Sequence, residues 1–170
     1  MIGATIRHER RADERTVHAV NVLAFEQPLE ADLVAAIQRD RLVICSLVAE
    51  MAGEIVGHIL FTPVTIEASE VRAVGLAPMA VSPDYQRRGI GTSLVKAGLA
   101  ACVRLGLEVV VVLGHPEFYP RFGFLPASRF GLRCEFPVPD EVFMATELVE
   151  GALSGRQGLV RYLRHFSGAA

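Results

Sequence analysis

Residues 81–95 read VSPDYQRRGIGTSLV, and the fold turns on them. An apolar segment runs out through Pro83, passes Arg87 and Arg88, and enters a Gly89-Ile90-Gly91 that opens a helix. Glycine at a helix start costs conformational entropy, so something there needs bare backbone. The first four N–H groups of a helix lack intrahelical partners, and the helix dipole places partial positive charge beside them. Glycines let an anionic ligand approach that backbone, an arrangement that suits phosphate or pyrophosphate.

The flanks of this turn read as a βαβ unit. Residues 71–81 are expected as a strand interrupted by Pro78, and residues 89–105 as a helix. Ile90, Leu94, Ala97, Ala101 and Leu105 share one stripe of that helix, and Gly106 follows as its stop. Residues 107–113, LEVVVVL, form an apolar run broken only by Glu108. Such a strand is usually covered on both faces and parallel to a neighbour, with a right-handed crossover. Upstream, a short strand is expected at 4–7, helices at 10–25 and 29–39, and a hairpin of strands 42–50 and 54–66 around Met51-Ala52-Gly53. Downstream come HPEFYPRFGF (115–124) as a short helical or irregular piece, strands at 130–136 and 142–149, and a tail with an apolar patch, LVRYLRHF (159–166).

The chain has 170 residues, 51% apolar and 21% charged, with a formal net charge of −2. This is the composition of one folded domain, and no global charge points to nucleic acid or an anionic membrane. Cys45, Cys102 and Cys134 lie far apart among apolar neighbours, as reduced core thiols do. No zinc spacing, signal pattern or run of 18 apolar residues is visible, so a cytoplasmic protein without metal, membrane span or nucleic-acid partner is expected.

Three phosphate-loop patterns compete at the turn. A Walker loop needs GxxxxGK[ST], which the sequence lacks. A dinucleotide fingerprint needs a third small residue, and position 94 is leucine. QRRGIG (86–91) matches the third, the Q/R-x-x-G-x-G/A pattern of an acyl-CoA pyrophosphate loop. With FYPRFGF (118–124) downstream, similar to an F-Y-x-x-x-G-F signature, the chain resembles the GNAT superfamily of acyl-CoA-dependent N-acyltransferases over residues 4–149. The pairing of LAPMAVSPDYQRRGIG with LGHPEFYPRFGF resembles in particular its YhbS-like bacterial branch.

The resemblance implies an α/β fold with a mixed, mostly antiparallel sheet of six or seven strands flanked by helices. Two central parallel strands, here 74–81 and 107–113, would splay apart at the cofactor site. Proline is disfavoured inside a central strand, so Pro78 fits an interrupted ladder. By the same resemblance acetyl-CoA is the cosubstrate. The backbone of Met79, Ala80 and Val81 would meet its pantetheine arm, and Gln86, Arg87, Arg88, Gly89, Gly91 and Thr92 its pyrophosphate. A neutral amine would attack the thioester directly, with Tyr119 as general acid toward the departing thiolate. His58, Glu117, Glu26 and His115 are the candidate bases. Many relatives carry an asparagine where this chain has Gly114-His115-Pro116-Glu117, so that contact is not expected here. The segment FEQPLEADL (25–33), with Glu26 and Glu30, should face the acceptor, whose class stays open from small amine to peptide. The tail, 150–170, is expected to pack on the domain or at a homodimer interface. A non-catalytic acyl-CoA-binding module on the same fold is the alternative.

Overall fold

The computed structural model describes residues 3–168. The chain runs β1 (Thr5–His8), α1 (Glu14–Phe25), α2 (Leu29–Arg39), β2 (Cys45–Met51), β3 (Glu54–Ile66), β4 (Ala73–Val81), α3 (Ile90–Arg104), β5 (Val109–Leu113), β6 (Leu125–Pro126), β7 (Leu132–Cys134), β8 (Phe143–Glu147) and β9 (Gly158–Arg161). Seven strands form the main sheet in the order β1-β2-β3-β4-β5-β8-β6, all pairs antiparallel except β4 with β5. The mixed, mostly antiparallel α/β sheet is therefore as the sequence predicts. Two short strands add a side branch: β9 runs parallel to β7 and antiparallel to the end of β3. β3, at 13 residues, is long enough to serve β2 and β4 and still pair with β9 through Thr65 and Ile66.

Alternation along β5 divides the core in two. Val109 and Val111 face a cluster with Val17 of α1 and Leu33, Val34 and Ile37 of α2. Val110 and Val112 face the opposite cluster with Ile90, Leu94 and Val95 of α3. Such a strand is covered on both sides, which is why its sequence is unbroken valine. α3 sits close to the sheet because Gly98 leaves room for Phe61, itself fully buried. A Cβ at 98 would come 2.5 Å from that ring. Alanine in a helix normally gains about 1 kcal/mol over glycine, but Gly98→Ala is expected to lose about 1–3 kcal/mol through overpacking, read as a lower Tm.

Among the boundaries that differ from the sequence reading, two are set by neighbouring 3-10 turns. The first helix begins at Glu14 and not at residue 10, after a separate 3-10 turn, Arg11–Asp13. Asp13 accepts from the Arg10 N–H at 2.7 Å and from the Arg7 guanidinium at 2.7 Å, and these bonds hold that turn apart from the helix. The strand expected at 130–136 shrinks to Leu132–Cys134, its start replaced by a 3-10 turn at Ala127–Phe130. The tail is built into the core: Leu153, Val160, Tyr162 and Phe166 are buried with the α1–α2 cluster. Its residues 169 and 170 lie outside the described ones.

Candidate functional site

The β4–β5 ladder runs from Ala73 opposite Val109 to Leu76 opposite Val112 and stops there, although β4 continues to Val81. Beyond Leu76 the pairing of β4 with β3 also shifts register, with Ala77 and Pro78 standing opposite Leu60 alone. A bulge of this kind bends the strand, and Pro78 brings no N–H to the interrupted stretch. The two parallel strands part, as the position of Pro78 predicts.

A cleft of about 1120 Å³ runs through this gap. Its walls include Met79, Val81, Gln86, Arg87, Gly89, Gly91 and Thr92, together with Tyr119. Ala80 and Arg88 are not among the lining residues: Ala80 is buried in pairing with His58, and the Arg88 guanidinium lies 5.3 Å from the centre of the Tyr85 ring. Residues of both core clusters line the cleft, Met79 and Tyr119 from the α3 side and Leu33 and Tyr162 from the α1–α2 side. The cleft therefore passes through the sheet from one face to the other.

At the α3 end the backbone forms a turn whose chemistry suits an anion. Arg87 and Gly89 both take left-handed conformations, with φ of 63° and 81°. The first bond of the helix runs from the Ser93 N–H to the Gly89 carbonyl at 3.0 Å. Among the described residues no acceptor meets the N–H groups of residues 87–92. Consecutive free N–H groups around left-handed residues make an anion-binding concavity, and the dipole of a 15-residue helix adds to it. Gln86 has a part that its sequence position did not disclose: its side-chain amide donates to the Val81 carbonyl at 3.0 Å, bracing the turn against β4.

Tyr119 starts the 3-10 turn Tyr119–Phe122 and is 6% exposed. Its ring packs edge-on against Phe118 at 5.0 Å and Phe124 at 5.6 Å, and any side chain at Gly114 would collide with it. Burial pushes its phenol up to about 12, so it is a proton donor throughout the neutral range.

The candidate bases separate cleanly. His115 and Glu117 line the cleft and are exposed at its lip. His58 and Glu26 are not among the residues that line the cleft. Glu26 is an exposed residue ending α1 in a left-handed conformation, outside the cleft wall. His58 is fully buried and belongs to a hydrogen-bonded network in which, among the described residues, Asn21 Oδ1 lacks a partner. Asn21 donates to the Val17 carbonyl at 3.0 Å and lies 3.2 Å from His58 Nδ1, while His58 Nε2 lies 2.9 Å from Ser46 Oγ. The Ser46 hydroxyl donates to Glu9 at 2.6 Å, and Gln38 also donates to that carboxylate. Every donor finds an acceptor if Nε2 carries the imidazole proton. Burial would raise the Glu9 carboxyl, but the His58 imidazole 3.6 Å away and the bonds from Ser46 and Gln38 outweigh it and hold it below its ordinary value. The network ties β2 and β3 to α1 and α2 on the face away from α3.

On the α1–α2 side, Phe25, Glu30 and Leu33 line the cleft, as expected of the 25–33 segment. Phe136, Tyr162 and Phe166, which the sequence reading did not place at the site, join them. Among the described residues the buried Tyr162 hydroxyl has no hydrogen-bond partner, an arrangement that costs about 1–3 kcal/mol.

Residues 7–124 match the acetyltransferase (GNAT) family. The uncharacterized N-acetyltransferase YhbS of Escherichia coli (strain K12) is 36% identical over 163 residues, covering 95% of this chain and 98% of that protein. The uncharacterized N-acetyltransferase YjhQ of the same strain is 39% identical over 137 residues, 77% of this chain and 75% of its own. The crystal structure of E. coli YhbS in complex with CoA superposes with a TM-score of 0.94, covering 98% of this chain and 93% of that one. A GNAT family acetyltransferase from Brucella melitensis, crystallised with acetyl-CoA, is 32% identical with a TM-score of 0.81, covering 96% and 97% of the two chains.

Proposed function

The chain belongs to the acetyltransferase (GNAT) family, and from that premise we propose that it is an N-acetyltransferase moving an acetyl group from acetyl-CoA to a primary amine. The observation that carries this reading is one continuous cleft. It joins the free N–H groups of residues 87–92 to the open β4–β5 ladder and leads on to the opposite face of the sheet. The pyrophosphate sits on the turn, held by the backbone of Arg87, Arg88, Gly89, Gly91 and Thr92, with Gln86 bracing the turn from behind. Strand edges that lose their ladder partners need others, and pantetheine amides supply them along Met79, Ala80 and Val81. The complexes of the two relatives with CoA and acetyl-CoA support the same ligand here.

With the phosphates on the α3 side and the thioester in the gap, the amine enters from the α1–α2 side. Its nitrogen attacks the thioester carbonyl carbon, a C–N bond forms, and the C–S bond breaks. The thiolate takes its proton from the Tyr119 hydroxyl. The proton shed by the amine passes to Glu117 or His115 at the lip and on to solvent, from which Tyr119 is reprotonated. Attack requires the neutral amine, so an acceptor that arrives as an ammonium ion, drawn by Glu30, must first lose a proton.

Thermal unfolding with acetyl-CoA, CoA, NADH and ATP in parallel tests the reading. Acetyl-CoA or CoA at a hundred times its Kd should add about 2.7 kcal/mol, with NADH and ATP well behind. Stabilisation by NADH or ATP alone would sink it. Thiol release from acetyl-CoA upon addition of amines separates the enzyme from a binding module, which would be stabilised and release nothing.

A further inference from the structure

The two mouths of the cleft are built from different chemistry. The mouth at the glycine turn is backbone N–H and arginine. The mouth on the α1–α2 side is lined by Phe25, Leu33, Phe136, Tyr162 and Phe166. Tyr162 stands between two of these rings, 5.7 Å from Phe136 and 5.6 Å from Phe166, centre to centre. Its own ring covers Gly75, where an added Cβ would come within 2.8 Å of Tyr162 Cε1. Gly75 directly precedes Leu76, where the β4–β5 ladder ends. The aromatic cluster therefore abuts the gap in which the thioester reacts. Carboxylates are few: Glu30 and Glu117 line the cleft, and Glu30 already accepts from the Gln27 amide at 3.0 and 3.1 Å.

We propose that the acceptor is a primary amine carried on an apolar, ring-bearing body, seated among Phe25, Leu33, Phe136, Tyr162 and Phe166. The proposal rests on the acetyltransferase reading above and names the substrate class of the same site. Aromatic side chains offer a rigid apolar surface that a ring fills with favourable offset or edge-on contacts. A polyamine would bring several ammonium groups into this wall, and a charge buried without a partner is unfavourable. One ammonium end matches the available carboxylates, and the rest of the molecule should match the rings.

The test uses the full chain with saturating acetyl-CoA, whose binding is measured first by calorimetry. Thiol release is then followed with 2-phenylethylamine, tyramine, phenylalaninamide, spermidine and a short lysine-containing peptide. The expected result is a kcat/KM for the ring-bearing amines at least about tenfold above that for spermidine and peptide. In Phe136→Ala, at a half-buried position, KM should rise for every ring-bearing amine, with acetyl-CoA affinity unchanged. Calorimetry without acetyl-CoA binding would overturn the acetyltransferase reading itself. Normal binding with spermidine or peptide preferred, or with no release from any ring-bearing amine, would overturn this inference and leave that reading standing. Identical KM values in parent and Phe136→Ala for all three ring-bearing amines would overturn the aromatic seat. Should Phe136→Ala fail to fold, the amine ranking of the parent still decides the substrate class.

Discussion

Tyr119→Phe is expected to lower kcat by about 10²–10⁴-fold, the range over which a positioned proton donor acts, with acetyl-CoA affinity nearly unchanged. The substitution keeps the edge-on packing against Phe118 and Phe124, so the fold should tolerate it. What it removes is the proton offered to the departing thiolate. The pH dependence carries a sign that can be worked out. Burial raises the phenol in the folded chain from 10.0 to about 12, so the native state holds this proton more tightly than the unfolded chain does. The associated stability is complete below about pH 10, the ordinary tyrosine value, and is lost as pH rises through about 12. Within that window the donor stays protonated, and kcat should climb with pH as the amine is neutralised, with no downturn from Tyr119 before the phenol titrates. Steady-state rates of thiol release in parent and variant across the alkaline range measure both effects. Full turnover in Tyr119→Phe would reduce the residue to packing.

What the sequence disclosed about this site follows the distance over which its signals act. The turn at 86–92 is local: its glycines, its arginines and the helix behind them are neighbours in the chain, so QRRGIG could be read directly. Tyr119 was legible through a motif of seven residues. Pro78 was legible because a missing N–H has one meaning in a central strand. The parts that escaped are nonlocal. β9 is four residues long and pairs with Thr65 and Ile66, far back in the chain, so no periodicity announces it. Tyr162 and Phe166 reach the cleft through that pairing and could not be placed without it. His58 shows a second limit. Alternation along β3 says that it alternates with its neighbours across the sheet, but not which face holds the cleft. The buried partners Asn21 and Ser46 decide that it serves the core.

Gly91→Ala is expected to move stability and ligand affinity in opposite directions. The two glycines of the turn are there for different reasons. Gly89 has φ of 81°, a left-handed conformation that a side chain resists, so the backbone alone accounts for it. Gly91 is helical, and a Cβ built on it would meet Met79 Cε at 3.5 Å and Phe118 Cζ at 3.8 Å, ordinary contact distances. Nothing in the folded chain forbids alanine there, and alanine in a helix gains about 0.5–1 kcal/mol over glycine by narrowing the unfolded ensemble. The ligand-free variant should therefore unfold at a slightly higher temperature than the parent. The same methyl group would enter the cleft between the helix N-terminus and whatever sits on it. Displacing a phosphate oxygen from a charge-assisted bond to a backbone N–H removes about 1.5–3 kcal/mol, equivalent to a rise of more than tenfold in the Kd for acetyl-CoA. Differential scanning of the free protein and calorimetry with acetyl-CoA measure the two halves separately. A variant that is both less stable and equally tight would mean that Gly91 serves packing. A variant more stable and weaker in binding would mean that the chain gives up helix stability at Gly91 so that a phosphate can approach its backbone.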